Sequence, residues 1–67
     1  MTKQEVLAIL KADIGITTTR QDERLESLID GIESELQERQ GITLDIENRA
    51  DHAMFLVDYA RYRYTNQ

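Results

Sequence analysis

The stretch from Asp51 to Tyr64 most strongly limits what this chain can fold into. It contains all three tyrosines and the only phenylalanine, and its residues Met54 to Val57 are consecutive apolar residues. A helix turns by about 100° per residue, so such a run cannot face one core along its whole length. A chain of 67 residues buries only roughly 60% of its unfolded surface. The surplus apolar surface therefore predicts a partner beyond the chain's own core.

The composition favours oligomerisation as the supplement to so small a core. The chain has no cysteine and one histidine, which excludes disulfides, thiolate sites and a histidine-based zinc site within one chain. We therefore expect neither a metal nor another cofactor. No apolar run approaches the ~20 residues that span a bilayer, and the first residues lack a signal-peptide pattern. The expectation is one soluble, intracellular helical domain over residues 1–67, with no membrane partner and no small-molecule substrate.

The negative charge is concentrated in the middle of the chain. The net charge is −5, and residues 22–47 carry nine acids against two arginines. An acidic chain is a poor candidate for binding nucleic acid, because neutralising phosphates needs clusters of Lys and Arg. The simplest interpretation is a solvated face that keeps the protein soluble. No Asp/Gly-rich loop supplies the converging oxygens of a calcium site. The acids on one face of the predicted second helix are Glu23, Glu26, Asp30 and Glu33.

Two stretches predict helices with recognisable ends. Residues 2–5 are a capping box followed by apolar residues at helical spacing, and the β-branched, glycine-containing segment 13–19 indicates a loop. A second box-like sequence, residues 19–22, begins the next helix. Gly41 is its predicted C-terminal cap, with Ile42 folding back on the helix end. The apolar stripe of this second helix is Leu25, Leu28, Ile29, Ile32 and Leu36.

The third helix is predicted from about Ile46 or Glu47 to Tyr64, with Asp45 as its candidate cap. The fold class is therefore all-α, a compact three-helix domain with a short first helix and two longer ones. Gly31 inside the second helix costs about 1 kcal/mol relative to alanine. It either marks a close crossing with another helix or is tolerated there by chance.

The third helix has two apolar sectors on a helical wheel. The sector of small and aliphatic residues would let another helix approach closely, and we assign it to the core. The second sector is the aromatic stripe, which consists of Phe55, Tyr59 and Tyr62 with Arg63 at its border. An aromatic stripe with a polar rim is typical of a protein–protein interface. The alternative is that the first helix and the loop at residues 14–16 cover these rings. The predicted core sector is Ala50, Ala53, Leu56, Val57, Ala60 and Tyr64.

No group of residues in the sequence predicts catalysis, and we expect a protein without catalytic residues. His52 follows Asp51, but neighbours in a helical sequence point about 100° apart and do not form an oriented pair. Asp58 and Arg61 are spaced for an ion pair on the helix surface. The sequence contains no phosphate-binding glycine loop, nucleophile motif or metal-ligand set.

Residues 5–13 read EVLAILKAD, and residues 22–30 read DERLESLID. With them, most of the chain resembles the small head–tail connector proteins of tailed phages, in which a short first helix ends in Asp and an acidic start opens a Leu-Leu-Ile helix. Residues 53–63 resemble the apolar last helix, which finishes near a Tyr and an Arg. The chain departs from the family where Gly31-Ile32 replaces small alanines. It also departs at residues 41–49, which leave no room for the excursion of longer members.

The resemblance implies a structural, non-enzymatic component of the virion, assembled in the bacterial host cytoplasm. Such connectors form a ring beneath the portal and leave a channel for DNA. The implied partners are further copies of the chain and portal or tail-completion proteins, with DNA only as passing cargo. A closed ring needs a heterologous contact, and we expect the aromatic stripe to be one half of it. The acidic face of the second helix could line the channel, repelling DNA so that it slides.

A small regulatory module is the alternative function, either a helix-turn-helix DNA binder or an antitoxin-like partner. Such a module would need a basic recognition helix. The second predicted helix is strongly acidic, and the third places its cations between aromatic residues. An accessory subunit of an enzyme whose chemistry resides in another chain is a third option that the sequence leaves open.

Overall fold

Three α-helices make up the fold. The computed structural model describes residues 1–66, and its helices are α1 (Lys3–Ile14), α2 (Asp22–Gln40) and α3 (Ala50–Thr65). The predicted all-α class, with a short first helix and two longer ones, is confirmed. α3 packs against both α1 and α2. Over the described residues, no helix is both long enough and apolar enough to cross a membrane.

α1 has the capping box that its sequence predicts. The Thr2 hydroxyl accepts a hydrogen bond from the Glu5 N–H at 3.2 Å, and the Glu5 carboxylate accepts one from the Thr2 N–H at 2.9 Å. The helix continues to Ile14, so the predicted loop start at Asp13 is wrong. α1 ends where Gly15 adopts φ +78°. The left-handed conformation of Gly15 ends the helix, and the low helix propensity of the residues before it does not.

α2 begins without the predicted capping box. Its first residue is Asp22, and the preceding Gln21 makes no side-chain capping hydrogen bond. A turn separates Thr19 from the first residue of α2. The Thr19 carbonyl accepts a hydrogen bond from the Asp22 N–H at 3.2 Å. The negative charge of Asp22 still favours the N-terminal end of the helix dipole. Gly41 caps the C-terminus of α2 at φ +65°, as predicted. The Ile42 N–H donates a hydrogen bond to the Leu36 carbonyl at 3.1 Å, but the Ile42 side chain is exposed, so only its backbone contacts the end of the helix.

α3 begins at Ala50 and not at the predicted Ile46 or the residue after it. A turn occupies the predicted first residues, and the Arg49 N–H donates to the Asp45 carbonyl at 2.9 Å. The Asp45 carboxylate accepts from the Asn48 amide instead of capping the helix. Ile46 is buried in the core. The turn thus places the Ile46 side chain in the core. A helix that began at Ile46 would have taken the backbone along a different path.

The core takes one face from each helix. Ala53 and Ala60 of the predicted core sector are fully buried, and their small size brings α3 close to its neighbours. Ala50 is exposed because it begins the helix, so its assignment to the core is wrong. Tyr64 of the same sector and Leu28 of the α2 stripe are half-buried. The buried residues are Val6, Leu7, Leu10, Leu25, Ile29, Ile32, Leu36, Ile46, Ala53, Leu56, Val57 and Ala60.

Ion pairs connect the helix ends around this core. The Lys11 ammonium of α1 lies 2.7 Å from the Asp22 carboxylate at the start of α2. Arg61 of α3 lies 3.5 Å from Asp13 of α1 and 3.3 Å from Asp58, its predicted partner. α3 is therefore held against α1 by charge as well as by apolar packing.

Candidate protein–protein interface

The aromatic stripe of α3 is partly uncovered. Phe55 is 45% exposed and Tyr62 is 64% exposed, whereas Tyr59 is half-buried and packs against the core. The isoleucines at both ends of segment 14–16 pack against the core and leave the outer rings open. The alternative prediction that α1 and this segment cover the stripe is therefore wrong for Phe55 and Tyr62, while Tyr59 is partly covered by the core.

Met54 extends the uncovered surface, although sequence reasoning did not assign it. It is 42% exposed and precedes Phe55 on the side of α3 that faces away from the core. The signal was present in the apolar run, because Leu56 and Val57 face inward and their two predecessors must then face outward. We call the surface formed by Phe55 and Tyr62 the open patch, and Met54 lies on its flank, about 100° around the helix from Phe55.

Tyr59 and Arg63 support the open patch from its edge. The rings of Phe55 and Tyr59 meet edge to face, with centroids 5.8 Å apart and planes at 70°. The Arg63 guanidinium carbon lies 5.5 Å from the centroid of Tyr59. Arg63 also pairs with Glu35 of α2. Arg63, predicted at the border of the stripe, is therefore engaged within the chain and holds Tyr59 in place.

The acidic face of α2 is partly neutralised by α1. The Lys3 ammonium pairs with Asp30 and lies 3.5 Å from the Glu33 carboxylate. Its hydrogen bond to Asp30 is the main cause that raises the pKa of Lys3. Glu23 is exposed and Glu26 is half-buried, and neither pairs with a cation in residues 1–66. The structure thus brings the four predicted carboxylates together, with an uncompensated charge on two of them.

Asp51 and His52 have separate partners, in agreement with the prediction that they form no oriented pair. The His52 Nδ1 accepts a hydrogen bond from the Asp45 N–H at 2.9 Å, so its ring hydrogen is on Nε2. The Asp51 carboxylate accepts from Arg49 at 3.1 and 2.8 Å. This hydrogen bond lowers the pKa of Asp51 and raises the pKa of Arg49. Both residues stabilise the start of α3.

The candidate sites of the described chain are surfaces. No pocket indents residues 1–66, and no cluster of three or more His, Asp or Glu side chains there is placed to hold a metal ion. The open patch is apolar with a charged border, and the acidic face is charged throughout. The first suits contact with another protein surface, and the second repels polyanions.

Residues 4–67 match a known protein family. The matching family model is described as "Phage gp6-like head-tail connector protein". No curated protein and no solved structure matched the chain. The matched region includes all three helices, and with them the open patch and the acidic face.

Proposed function

This chain belongs to the phage gp6-like head–tail connector family, and on that premise we propose that its copies close into a ring between portal and tail through which DNA passes. The family is structural, and its members act with other structural proteins of the phage. The finer proposal is that each copy contacts two further copies and a portal or tail-completion protein, after assembly in the host cytoplasm. A chain with this role needs no catalytic activity of its own.

The open patch is the observation that carries the ring. Phe55 and Tyr62 leave about half or more of their surfaces in water, on the side of α3 opposite the core. Aromatic residues supply much of the binding energy of protein interfaces when a partner buries them. A ring closes by a heterologous contact, in which one surface of each copy binds a different surface of the next. The aromatic stripe provides one of those two surfaces.

Tyr59 and Arg63 contribute to the proposed contact by holding it in shape. Tyr59 packs edge to face with Phe55, and Arg63 links Tyr59 to α2. A surface that is rigid before binding loses less conformational entropy on association. The stripe therefore divides into rings that touch the neighbour and residues that position them.

We place the acidic face of α2 toward the DNA channel. Glu23 and Glu26 carry the charge that Lys3 leaves uncompensated. A negative channel wall repels phosphates and prevents the counterion release that would make DNA adhere. Lys3 limits the repulsion among the carboxylates themselves, so the face can be acidic without destabilising α2.

Light scattering across a concentration series tests the ring, for the chain alone and with purified portal. We expect the wild type to form a multi-copy assembly in at least one condition. Phe55→Ala should remain folded, because Phe55 is 45% exposed and is not one of the buried core residues, and should lose association. Ile42→Ala is the matched control, since Ile42 is 42% exposed and lies outside the patch. A wild type that stays monomeric in both conditions, or a Phe55→Ala variant that assembles normally, would contradict the proposal.

A further inference from the structure

We infer that the open patch of one copy docks on the outward face of α2 of the next copy. This inference rests on the proposed ring and identifies the second half of its contact. The outward face of α2 is the side opposite its buried stripe. Its residues follow one another at helical spacing and are all exposed: Arg24, Ser27, Gly31, Ser34 and Glu38.

The middle of this face, which we call the α2 groove, carries only small side chains. Ser27, Gly31 and Ser34 occupy successive turns of α2. A Cβ built at Gly31 would meet nothing within 4 Å, so neither α1 nor α3 of the same chain crosses there. The close helix crossing that the sequence suggests at Gly31 is therefore not an intrachain contact. Space remains for a helix from another copy.

The two faces have complementary shapes. α3 presents two aromatic side chains, Phe55 and Tyr62, opposite its buried side, with Met54 on the flank. Side chains of one helix pack into the grooves of another, and small residues in the groove bring the two axes closer. The outward face of α2 lacks such side chains at its centre, where the rings of the open patch would enter.

Charge selects the second copy as the occupant and sets the direction of the two helices. The outward face of α2 begins with Arg24 and ends with Glu38. Asp51 and Asp58 lie beside the rings on α3, and both stay more than half exposed although Asp51 pairs with Arg49 and Asp58 with Arg61. Parallel helices bring Arg24 to the two aspartates. Antiparallel helices would set Glu38 against Asp51. Within residues 1–66, Arg24 forms no ion pair of its own, so its charge is available for this contact.

The arrangement is heterologous, because the patch and the groove are different surfaces of one chain. Each copy offers its α3 to one neighbour and its α2 to the other. Contacts of this kind propagate around a ring when the rotation closes. The acidic face containing Glu23 and Asp30 lies beside the groove on α2 and stays free to face the channel.

Added bulk at Gly31 tests the groove, in whichever condition the wild type assembles. Gly31→Gln should fold at least as stably as the wild type, because glycine is the poorer helix former and the site is open. It should lose association as fully as Phe55→Ala. Ala8→Gln is the matched control, since it adds the same side chain at an exposed position of α1. A folded Gly31→Gln variant that assembles normally overturns the inference.

A charge exchange tests the direction of the helices. Arg24→Glu alone and Asp51→Arg alone should each weaken association, and the double variant should recover at least part of it. Absence of recovery in a folded double variant overturns the parallel docking.

The two proposals fail in different ways. If Phe55→Ala dissociates the ring and Gly31→Gln does not, the open patch is an interface and the α2 groove is not its partner. If neither variant changes the assembly, the open patch itself is not an interface. A wild type that assembles in no condition overturns both.

Discussion

Arg63 in the last turn of α3 pairs with Glu35 of α2, and the same guanidinium lies 5.5 Å from the ring centroid of Tyr59. Tyr59 in turn packs edge to face with Phe55. One side chain thus links two helices and supports an aromatic ring that is open to solvent. The open patch is therefore supported by two helices, although its own residues all belong to α3.

Replacing Arg63 with methionine should destabilise the fold modestly. The change removes the guanidinium and keeps an aliphatic stem. An exposed ion pair contributes about 0.2–1 kcal/mol and a cation–π contact about 0.5–1 kcal/mol. We expect a loss of about 1 kcal/mol, which lowers the Tm of a domain this size by about 4–8 °C. Arg39→Met is the control. The Arg39 side chain is 78% exposed, and its contact with the same Glu35 is a loose one at 4.0 Å. Equal shifts in thermal unfolding for the two variants would contradict the role of Arg63.

Removing the Thr2 hydroxyl should weaken α1. Thr2→Ala leaves the Glu5 N–H without its side-chain acceptor, a loss that typically costs about 1 kcal/mol. The expected fall in Tm is again about 4–8 °C, measured by circular dichroism. Thr17→Ala is the control, since Thr17 is exposed in the connection after α1. If both threonine variants unfold at the wild-type temperature, the capping box does not stabilise the protein.

The Glu5 carboxyl should link stability to acid pH. The Thr2 backbone N–H, followed by the Thr2 hydroxyl, holds the pKa of Glu5 below its ordinary value of 4.5. A lowered folded-state pKa gives stabilisation that is complete above the unfolded-state pKa and is lost as the pH falls through the folded-state pKa. An NMR titration of the Glu5 carboxyl should therefore have its midpoint below 4.5, and Thr2→Ala should raise it only partly, because the backbone donor remains. A wild-type midpoint at 4.5 or above would overturn this linkage.

A positive charge on the acidic face should make the assembled ring bind DNA. Glu23→Lys adds a cation where Lys3 provides no partner, and Glu47→Lys makes the same charge change at an exposed position outside that face. In filter binding at low salt, we expect tighter and more salt-dependent binding for Glu23→Lys than for Glu47→Lys. Equal binding by the two variants would contradict the proposal that the acidic face lines the DNA channel. Tight, strongly salt-dependent binding by the wild type would instead favour the regulatory DNA-binding alternative.

The sequence by itself determined the helices and most of the core. The Thr2 capping box uses residues only a few positions apart, and Gly41 ends α2 through its own φ angle. The inward residues of α3, such as Ala53 and Ala60, follow from the α-helical period alone. The resemblance to connector proteins depends on the same local pattern of apolar and acidic residues. These features are predictable because each arises within one helix or at its end.

Only the tertiary structure decided which charges and rings are free. Lys3 reaches Asp30 across 27 positions in sequence, and Arg63 reaches Glu35 across 28. These contacts compensate part of the acidic face and position Tyr59, while Phe55 stays open. The late start of α3 also depends on tertiary packing, because burial of Ile46 in the preceding turn determines the path of the chain. No local pattern specifies how helices are placed against one another, and that placement is what makes one surface of α3 core and another an interface candidate.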